Sequence, residues 1–488
     1  MQKRHNMTNS KKRKIFDQIA PTREKFSKIN HYYHEDLRDF YTFHIPIGKR
    51  VLELGCGKGD LLALLRPSFG VGVDFSIFHI EKARMLHPEC HFILGDAEDL
   101  PVSGKFDYII MYDLLESLDD IQNTLTQLQS CCHPGTRIIC NFFNYLWEPV
   151  LKFGEWAGMK TPNPESNWLS VHDMENLFYL SGFETISRGY RMLFPRKVPL
   201  FSYFLNRVLA ILPIFRNLCM WQYLVIRPQP ALPADWKNKY SVSIIIPTRD
   251  ELGNIPGCFE RMPKMGKWTE LIFVDAESTD GTIEAINDGI SKHSARWKRI
   301  LLISQGGKFG KGDAVRKAFS RAKGDILMVL DSDLTMPPED LPKYYEAIST
   351  GRGEVINGCR LVYPFEGKAM RSINYFGNKT FSAIFSWLLD QHIKDTLCGT
   401  KVLWRIDYEL ISQSRDYFGD FDPFGDFDLL FGASKLDRKI VDLPIRYRNR
   451  TYGDIKIERW KHAMLLFRMC GIAFYRLKLQ HKQKHSKS

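Results

Sequence analysis

Apolar and polar positions along this chain alternate in blocks. Short β-rich runs at 50–54, 70–74, 91–94, 106–111 and 137–142 are separated by stretches of helical spacing. That rhythm predicts βαβ units and a parallel sheet. Residues 183–191 and 220–226 read as antiparallel strands that close the sheet. A second series starts at Ser241, with strands predicted at 242–246, 270–274, 299–303, 326–330 and 354–357. Between the series lies Arg227-Pro-Gln-Pro-Ala-Leu-Pro-Ala234, whose prolines suit a linker and not a core. The expected fold class is α/β, with two Rossmann-like domains at 1–226 and 241–488 and a linker at 227–240. The two series carry different motifs, which makes this a fusion and not an internal repeat.

A chain of 488 residues exceeds one ordinary core, in keeping with two domains. Hydrophobic content of 44% and charged content of 25% are ordinary for a globular protein and argue against long disordered tracts. A net charge of +12 favours anionic partners such as nucleotides or lipid phosphates. The ten cysteines form no Cys-x-x-Cys pair and are scattered, which gives no support to a zinc cage or disulfide framework and fits a reducing compartment. No apolar signal region opens the chain, and no run reaches the roughly 18 apolar residues of a membrane span. Two stretches, 198–212 and 463–477, mix apolar and basic residues. Each reads either as a buried helix or as a segment lying on a membrane surface.

In the first half, Val51-Leu-Glu-Leu-Gly-Cys-Gly-Lys-Gly59 follows a predicted strand and precedes a helical run. Glycines let the backbone turn tightly and approach a ligand closely. Their spacing is G-x-G-x-G at 55, 57 and 59, not the G-x-G-x-x-G of a dinucleotide site. Asp74 ends the next strand, where a carboxylate can accept both hydroxyls of a ribose. Asp96 ends the third strand and could accept an adenine amino group. The order of these motifs resembles the class I S-adenosylmethionine-dependent methyltransferases over residues 30–226. The resemblance implies that Glu53, Gly55, Gly57, Asp74 and Asp96 hold S-adenosylmethionine. The methyl acceptor is not readable, although His172 and Asp113 are available as bases.

In the second half, Ile326-Leu-Met-Val-Leu330 has the continuous apolar character of a strand buried on both faces. Asp331-Ser-Asp333 follows at its C-terminal end, where open α/β sheets bind ligands. Two alternate carboxylates suit Mg²⁺ or Mn²⁺ bridging phosphate oxygens. Such an ion offsets charge on a departing nucleoside diphosphate. Lys311, at a loop-to-helix start, and Arg360, after a further strand, add cationic groups for an anion. Together with Ser243-Ile-Ile-Ile-Pro-Thr-Arg-Asp-Glu251 and Leu271-Ile-Phe-Val-Asp275, these motifs resemble glycosyltransferase family 2, with its GT-A fold. Asp331-Ser-Asp-Leu-Thr-Met-Pro-Pro338 and Asp395-Thr-Leu-Cys-Gly-Thr-Lys401 are similar to those of dolichyl- and polyprenyl-phosphate sugar synthases. The resemblance implies Pro247, Glu251 and Asp275 for the nucleoside of a UDP- or GDP-sugar, and Asp331 and Asp333 for the metal. Arg249-Asp250 and Ala276-Glu277 depart from the family pattern, leaving base and sugar open.

Two acceptor classes remain. A sugar hydroxyl needs a carboxylate base, for which Asp395, Asp426 and Asp428 are candidates. A lipid phosphate is already ionised and needs cations instead. Arg446, Arg448, Arg450, Lys456 and Arg459 supply them, and arginine binds phosphate bidentately. The favoured expectation is inverting transfer from a nucleotide sugar to a polyprenyl phosphate. It comes with methyl transfer by the first half and a cytoplasmic position peripheral on the inner face of the membrane. The alternative is transfer to a saccharide hydroxyl, with a first half that only binds S-adenosylmethionine. Neither half shows a nucleic-acid module.

Overall fold

The computed structural model describes residues 17, 18, 22, 25–161, 167–306, 310–362, 372–413, 427–450, 452 and 459–479. The chain divides into two compact units, the first ending at Gln229 and the second running from Pro230 to Lys478.

The first unit is built on seven strands: β1 (Arg50–Leu54), β2 (Phe69–Asp74), β3 (His91–Leu94), β4 (Phe106–Met111), β5 (Cys132–Phe143), β6 (Phe183–Arg191) and β7 (Trp221–Pro228). They lie in the order β3-β2-β1-β4-β5-β7-β6. The first five are parallel, and β7 runs antiparallel to both β5 and β6. Leu52, Leu54, Ile109 and Met111 face one core, while Val51, Ile110 and Ile139 face the other. A sheet covered on both faces accounts for the unbroken apolar runs in its central strands. The chain leaves β1 toward β2 on one side and reaches β4 on the other, so strand order reverses between β1 and β4. In open α/β sheets a ligand binds beyond the strand ends at such a reversal.

The second unit repeats the principle with β8 (Val242–Thr248), β9 (Thr269–Asp275), β10 (Arg299–Ser304), β11 (Ile326–Val329), β12 (Val355–Cys359), β13 (Lys401–Trp404) and β14 (Ile440–Pro444). Their order is β10-β9-β8-β11-β13-β12-β14. The reversal falls between β8 and β11, which pair in parallel from Ile326 with Val242 to Val329 with Ile245. β13 is antiparallel to β11 and β12. The strand expected at 326–330 stops one residue early, because Leu330 already turns into the Asp331 loop. β13 and β14 were not expected.

Helix Arg459–Ala473 packs against helix Ser372–Leu389, with Leu466, Met469 and Cys470 buried and Met464 and Phe467 exposed. Among the described residues no helix is long and apolar enough to cross a membrane. All ten cysteines are free and buried.

Candidate functional site

In the first unit the glycine loop leaves β1 with Gly55 at φ 72° and Gly57 at φ 52°, a left-handed backbone that favours glycine. This conformation turns the Gly57 N–H onto Asp74 Oδ2 at 2.7 Å, while Ser76 N donates to Oδ1 at 2.9 Å. Burial opposes ionisation of Asp74, but His79 at 3.4 Å and these two amides outweigh it and hold the carboxyl below its usual range. Glu53, one residue from the end of β1, is 1% exposed, and burial raises its carboxyl well above the carboxylate range. Among the described residues its Oε2 has no hydrogen-bond partner. A buried oxygen left open beside a glycine loop fits a bound polar ligand at that place. Asp96 accepts the Glu98 amide at 2.9 Å. Thus Glu53, Gly55, Gly57, Asp74 and Asp96 all lie at the C-terminal edge of β1, β2 and β3.

A polar cluster at the ends of β4 and β5 was largely unread. Asp113, at φ 47°, accepts the Tyr33 hydroxyl at 2.7 Å and is bonded to Asn141. Tyr41 in turn donates to Asn141 Oδ1 at 2.7 Å. Glu116 is buried and accepts the Phe143 amide at 2.8 Å. Burial, then the charge of Asp113, pushes its carboxyl up to about 7. A sequence signal existed in the acidic pair Asp113 and Glu116 directly after an apolar strand. The partner Tyr33 lies 80 residues away and could not be read. His172 is exposed on helix Val171–Leu180, away from this cluster's hydrogen bonds.

In the second unit the ends of β8 and β11 are tied together by Ser332 Oγ, which donates to the Pro247 carbonyl at 2.9 Å. Asp331 and Asp333 flank that tie. Lys311 Nζ, from the start of helix Lys311–Arg321, stands 2.5 Å from Asp331 Oδ1. Burial opposes ionisation of Asp331, but Lys311, then Lys401 and Arg360, hold its carboxyl below the usual range. Asp333 accepts Thr335 N and Oγ1 at 3.1 and 2.8 Å and faces Arg450 at 2.5 Å. Gly399 sits against Asp331 so closely that an added Cβ would overlap both that carboxylate and Lys311 Nζ.

The nucleoside candidates are all at the β8 and β9 ends. Glu251 is buried and accepts Asn254 Nδ2 at 2.6 Å. Asp275 is also buried, and it accepts Ser278 N and Oγ and Thr248 Oγ1 at 2.8, 2.5 and 3.2 Å. It therefore shapes the loop after β9. Arg360 does not point a free fork at this site. Its Nε and Nη2 bind Asp395 at 2.8 and 2.9 Å, and its backbone N–H adds a third bond at 2.9 Å. Asn378 and Leu397 N complete five donors on one fully buried carboxylate. Burial opposes ionisation, but Arg360 outweighs it and holds Asp395 down to about 2. Asp426 lies outside the described residues. Asp428 is buried, 3.9 Å from Arg316.

Arg446 and Arg448 are exposed on the segment after β14, and Arg448 N bonds Thr335 O at 2.9 Å. Arg450 is the member of that group that closes on Asp333. Lys401 was missed as a site residue. It is a buried cation behind Asp331, and its Nζ donates to the Cys398 carbonyl. A lysine opening the apolar run Lys401-Val-Leu-Trp404 was the available signal.

Comparison with known proteins follows the same division. The family model "Glycosyl transferase family 2" matches residues 243–405, and the model "Methyltransferase domain" matches residues 28–188. An undecaprenyl-phosphate 4-deoxy-4-formamido-L-arabinose transferase of Edwardsiella ictaluri is 31% identical over 242 residues, 48% of this chain and 68% of that protein. The protein of the same name from Aeromonas hydrophila is 26% identical over 44% of this chain, which spans 62% of its length. A dolichol-phosphate mannosyltransferase of Saccharomyces cerevisiae is 39% identical over 111 residues, 22% of this chain and 40% of that protein.

Proposed function

The chain belongs to glycosyl transferase family 2 through its second unit and carries a methyltransferase domain in its first, and from this we propose that it couples two group transfers in one polypeptide. The second unit transfers a sugar from a nucleotide sugar to a polyprenyl phosphate. The first transfers a methyl group from S-adenosylmethionine to an acceptor whose chemistry is left open.

The observation that carries the first claim is the state of Asp395. Its oxygens accept five hydrogen bonds and its carboxyl is held at about 2, far below the range of an effective base, so it is a poor acceptor for a hydroxyl proton. We therefore assign it as a positioning residue for Arg360. An acceptor that arrives as a phosphate anion needs no base at this site. The relatives named for undecaprenyl and dolichol phosphate support the same acceptor class.

Asp331 and Asp333 fit a divalent cation. Each already faces a positive side chain at 2.5 Å, and those ammonium and guanidinium groups stand in for positive charge. Among the described residues no group of three or more His, Cys, Asp or Glu could hold a metal. A bound Mg²⁺ or Mn²⁺ would thus draw its other ligands from diphosphate and water, and would offset charge on the leaving diphosphate. Lys311 and Arg450 hold the same phosphates by charge-assisted bonds when the donor enters. Pro247, Glu251 and Asp275 frame the nucleoside end. Arg446 and Arg448 meet the acceptor phosphate from solvent. The acceptor oxygen attacks the anomeric carbon as the bond to the diphosphate breaks, with inversion.

For the first unit, Glu53, Gly55, Gly57, Asp74 and Asp96 take the cofactor. We place the protein on a membrane face, where a polyprenyl phosphate resides. The test is a panel of UDP- and GDP-sugars offered with polyprenyl phosphate or with saccharide acceptors, products being identified by mass. A polyprenyl-phosphate sugar is expected. Transfer to saccharide hydroxyls alone would overturn the acceptor assignment.

A further inference from the structure

The connection between β6 and β7 is unusually apolar at its surface. Leu200 is 87% exposed and Ile214 82%, and Phe201, Tyr203 and Phe204 are each at least half exposed. Residues 194–219 contain four basic residues, Arg196, Lys197, Arg207 and Arg216, and no acidic one. Helix Glu148–Trp156 after β5 adds a second outcrop, with Trp156 81% exposed. The two outcrops are joined. Asn144 Nδ2 donates to the carbonyls of Asn217 and Cys219 at 2.8 and 2.9 Å, and Trp147 Nε1 donates to Leu218 O at 2.8 Å. Both spring from one end of the sheet, because Phe143 at the end of β5 pairs with Trp221 at the start of β7. That is the C-terminal edge of the parallel strands, where Asp74, Asp96 and Asp113 also lie.

A soluble surface rarely leaves so many large apolar side chains together in water. Their chemistry selects among occupants. Trp and Tyr with aliphatic neighbours and flanking Arg and Lys form the composition that settles at a lipid interface, rings at the headgroups and cations toward anionic phosphates. Residues 194–219 carry no acid to repel an anionic surface, and the two acids of the second outcrop, Glu148 and Glu155, are neutralised by Lys152 and Lys160 at 2.5 and 2.6 Å. We propose that the first unit docks on an anionic lipid bilayer through this face. Its methyl acceptor is then reached from the membrane side. The proposal goes beyond the sugar-transfer reading of the second unit and does not depend on it.

The full chain is tested by co-sedimentation with phosphatidylcholine vesicles, with and without phosphatidylglycerol. The wild type should bind the anionic vesicles about tenfold or more tightly than the neutral ones. The variant carrying Leu200→Ser, Phe201→Ser and Ile214→Ser should lose about tenfold or more of that binding. It should still bind S-adenosylmethionine and still glycosylate a short, water-soluble polyprenyl phosphate. That last assay separates failure of docking from failure of the sugar-transfer reading. Should the triple variant not fold, Lys197→Glu, at an exposed position, is expected to weaken anionic binding by about tenfold. No binding of anionic vesicles would overturn the proposal, as would unchanged binding by both variants or complete loss on Met464→Ser with Phe467→Ser in the second unit. So would a wild-type dimer that the triple variant turns into a monomer, since that assigns the face to a second copy.

Discussion

Arg450 sets its guanidinium 2.5 Å from Asp333 Oδ2 across 117 positions of sequence. The segment after β14 is thereby drawn over the β11 loop, and one carboxylate of the pair holds a cationic side chain. Arg450→Ala should therefore tighten binding of Mn²⁺ to the nucleotide-free protein, because the metal no longer competes with the guanidinium. The same variant should weaken binding of a nucleoside diphosphate by about tenfold, through loss of a charge-assisted bond. Titration calorimetry of each ligand separately reads both effects. Weaker Mn²⁺ binding would contradict this relationship.

Gly399 gives a steric test of the same centre. A methyl group there overlaps Asp331 and Lys311, so Gly399→Ala should reduce sugar transfer by about a hundredfold while adenosylmethionine binding stays intact. Gly377→Ala is the control, since an added Cβ meets nothing within 4 Å. Steady-state rates of the two variants should diverge accordingly.

Asp395→Asn should be a stability variant before it is an activity variant. It removes the charge that neutralises Arg360, itself 13% exposed in its side chain. Breaking one side of a buried pair costs about 3–5 kcal/mol. Thermal melting of the second unit should fall markedly, and an unchanged transition would show that the pair does not anchor the unit.

Glu116 supplies a pH dependence. Its carboxyl is raised to about 7 by burial and then by Asp113, so the folded first unit binds a proton that the unfolded chain releases nearer 4.5. Its stabilising contribution is complete below the unfolded value and is lost as pH rises through about 7. Denaturant unfolding between these limits should show falling stability, and Glu116→Gln should flatten that slope.

Much of this architecture was legible because each central strand is an apolar run bounded by polar turns. The expected strands at 50–54, 91–94, 106–111 and 183–191 coincide with those observed. β13 and β14 were not legible. One opens with the buried Lys401, and the other, Ile440-Val-Asp-Leu-Pro444, is short and broken by Asp442 and Pro444. Local pattern alone does not mark either as strand, and pairing with β11 and β12 supplies what it lacks. Asp331 and Asp333 were legible because they end a buried strand. Their partners were not, since Lys311 and Arg450 are brought to them only by tertiary folding. The same limit hid the lock on Asp395. An aspartate in a polar motif looks like a base until Arg360 and Asn378 are seen to occupy it.

Product mass from wild-type and Asp333→Ala protein, each supplied with nucleotide sugar, polyprenyl phosphate and Mg²⁺ or Mn²⁺, decides whether the second unit makes a lipid-phosphate sugar through this pair of carboxylates. The wild type should yield a sugar linked through the lipid phosphate and should stop when the metal is chelated. Asp333→Ala should yield none, yet bind S-adenosylmethionine as before. Metal-independent transfer retained by Asp333→Ala would contradict the account.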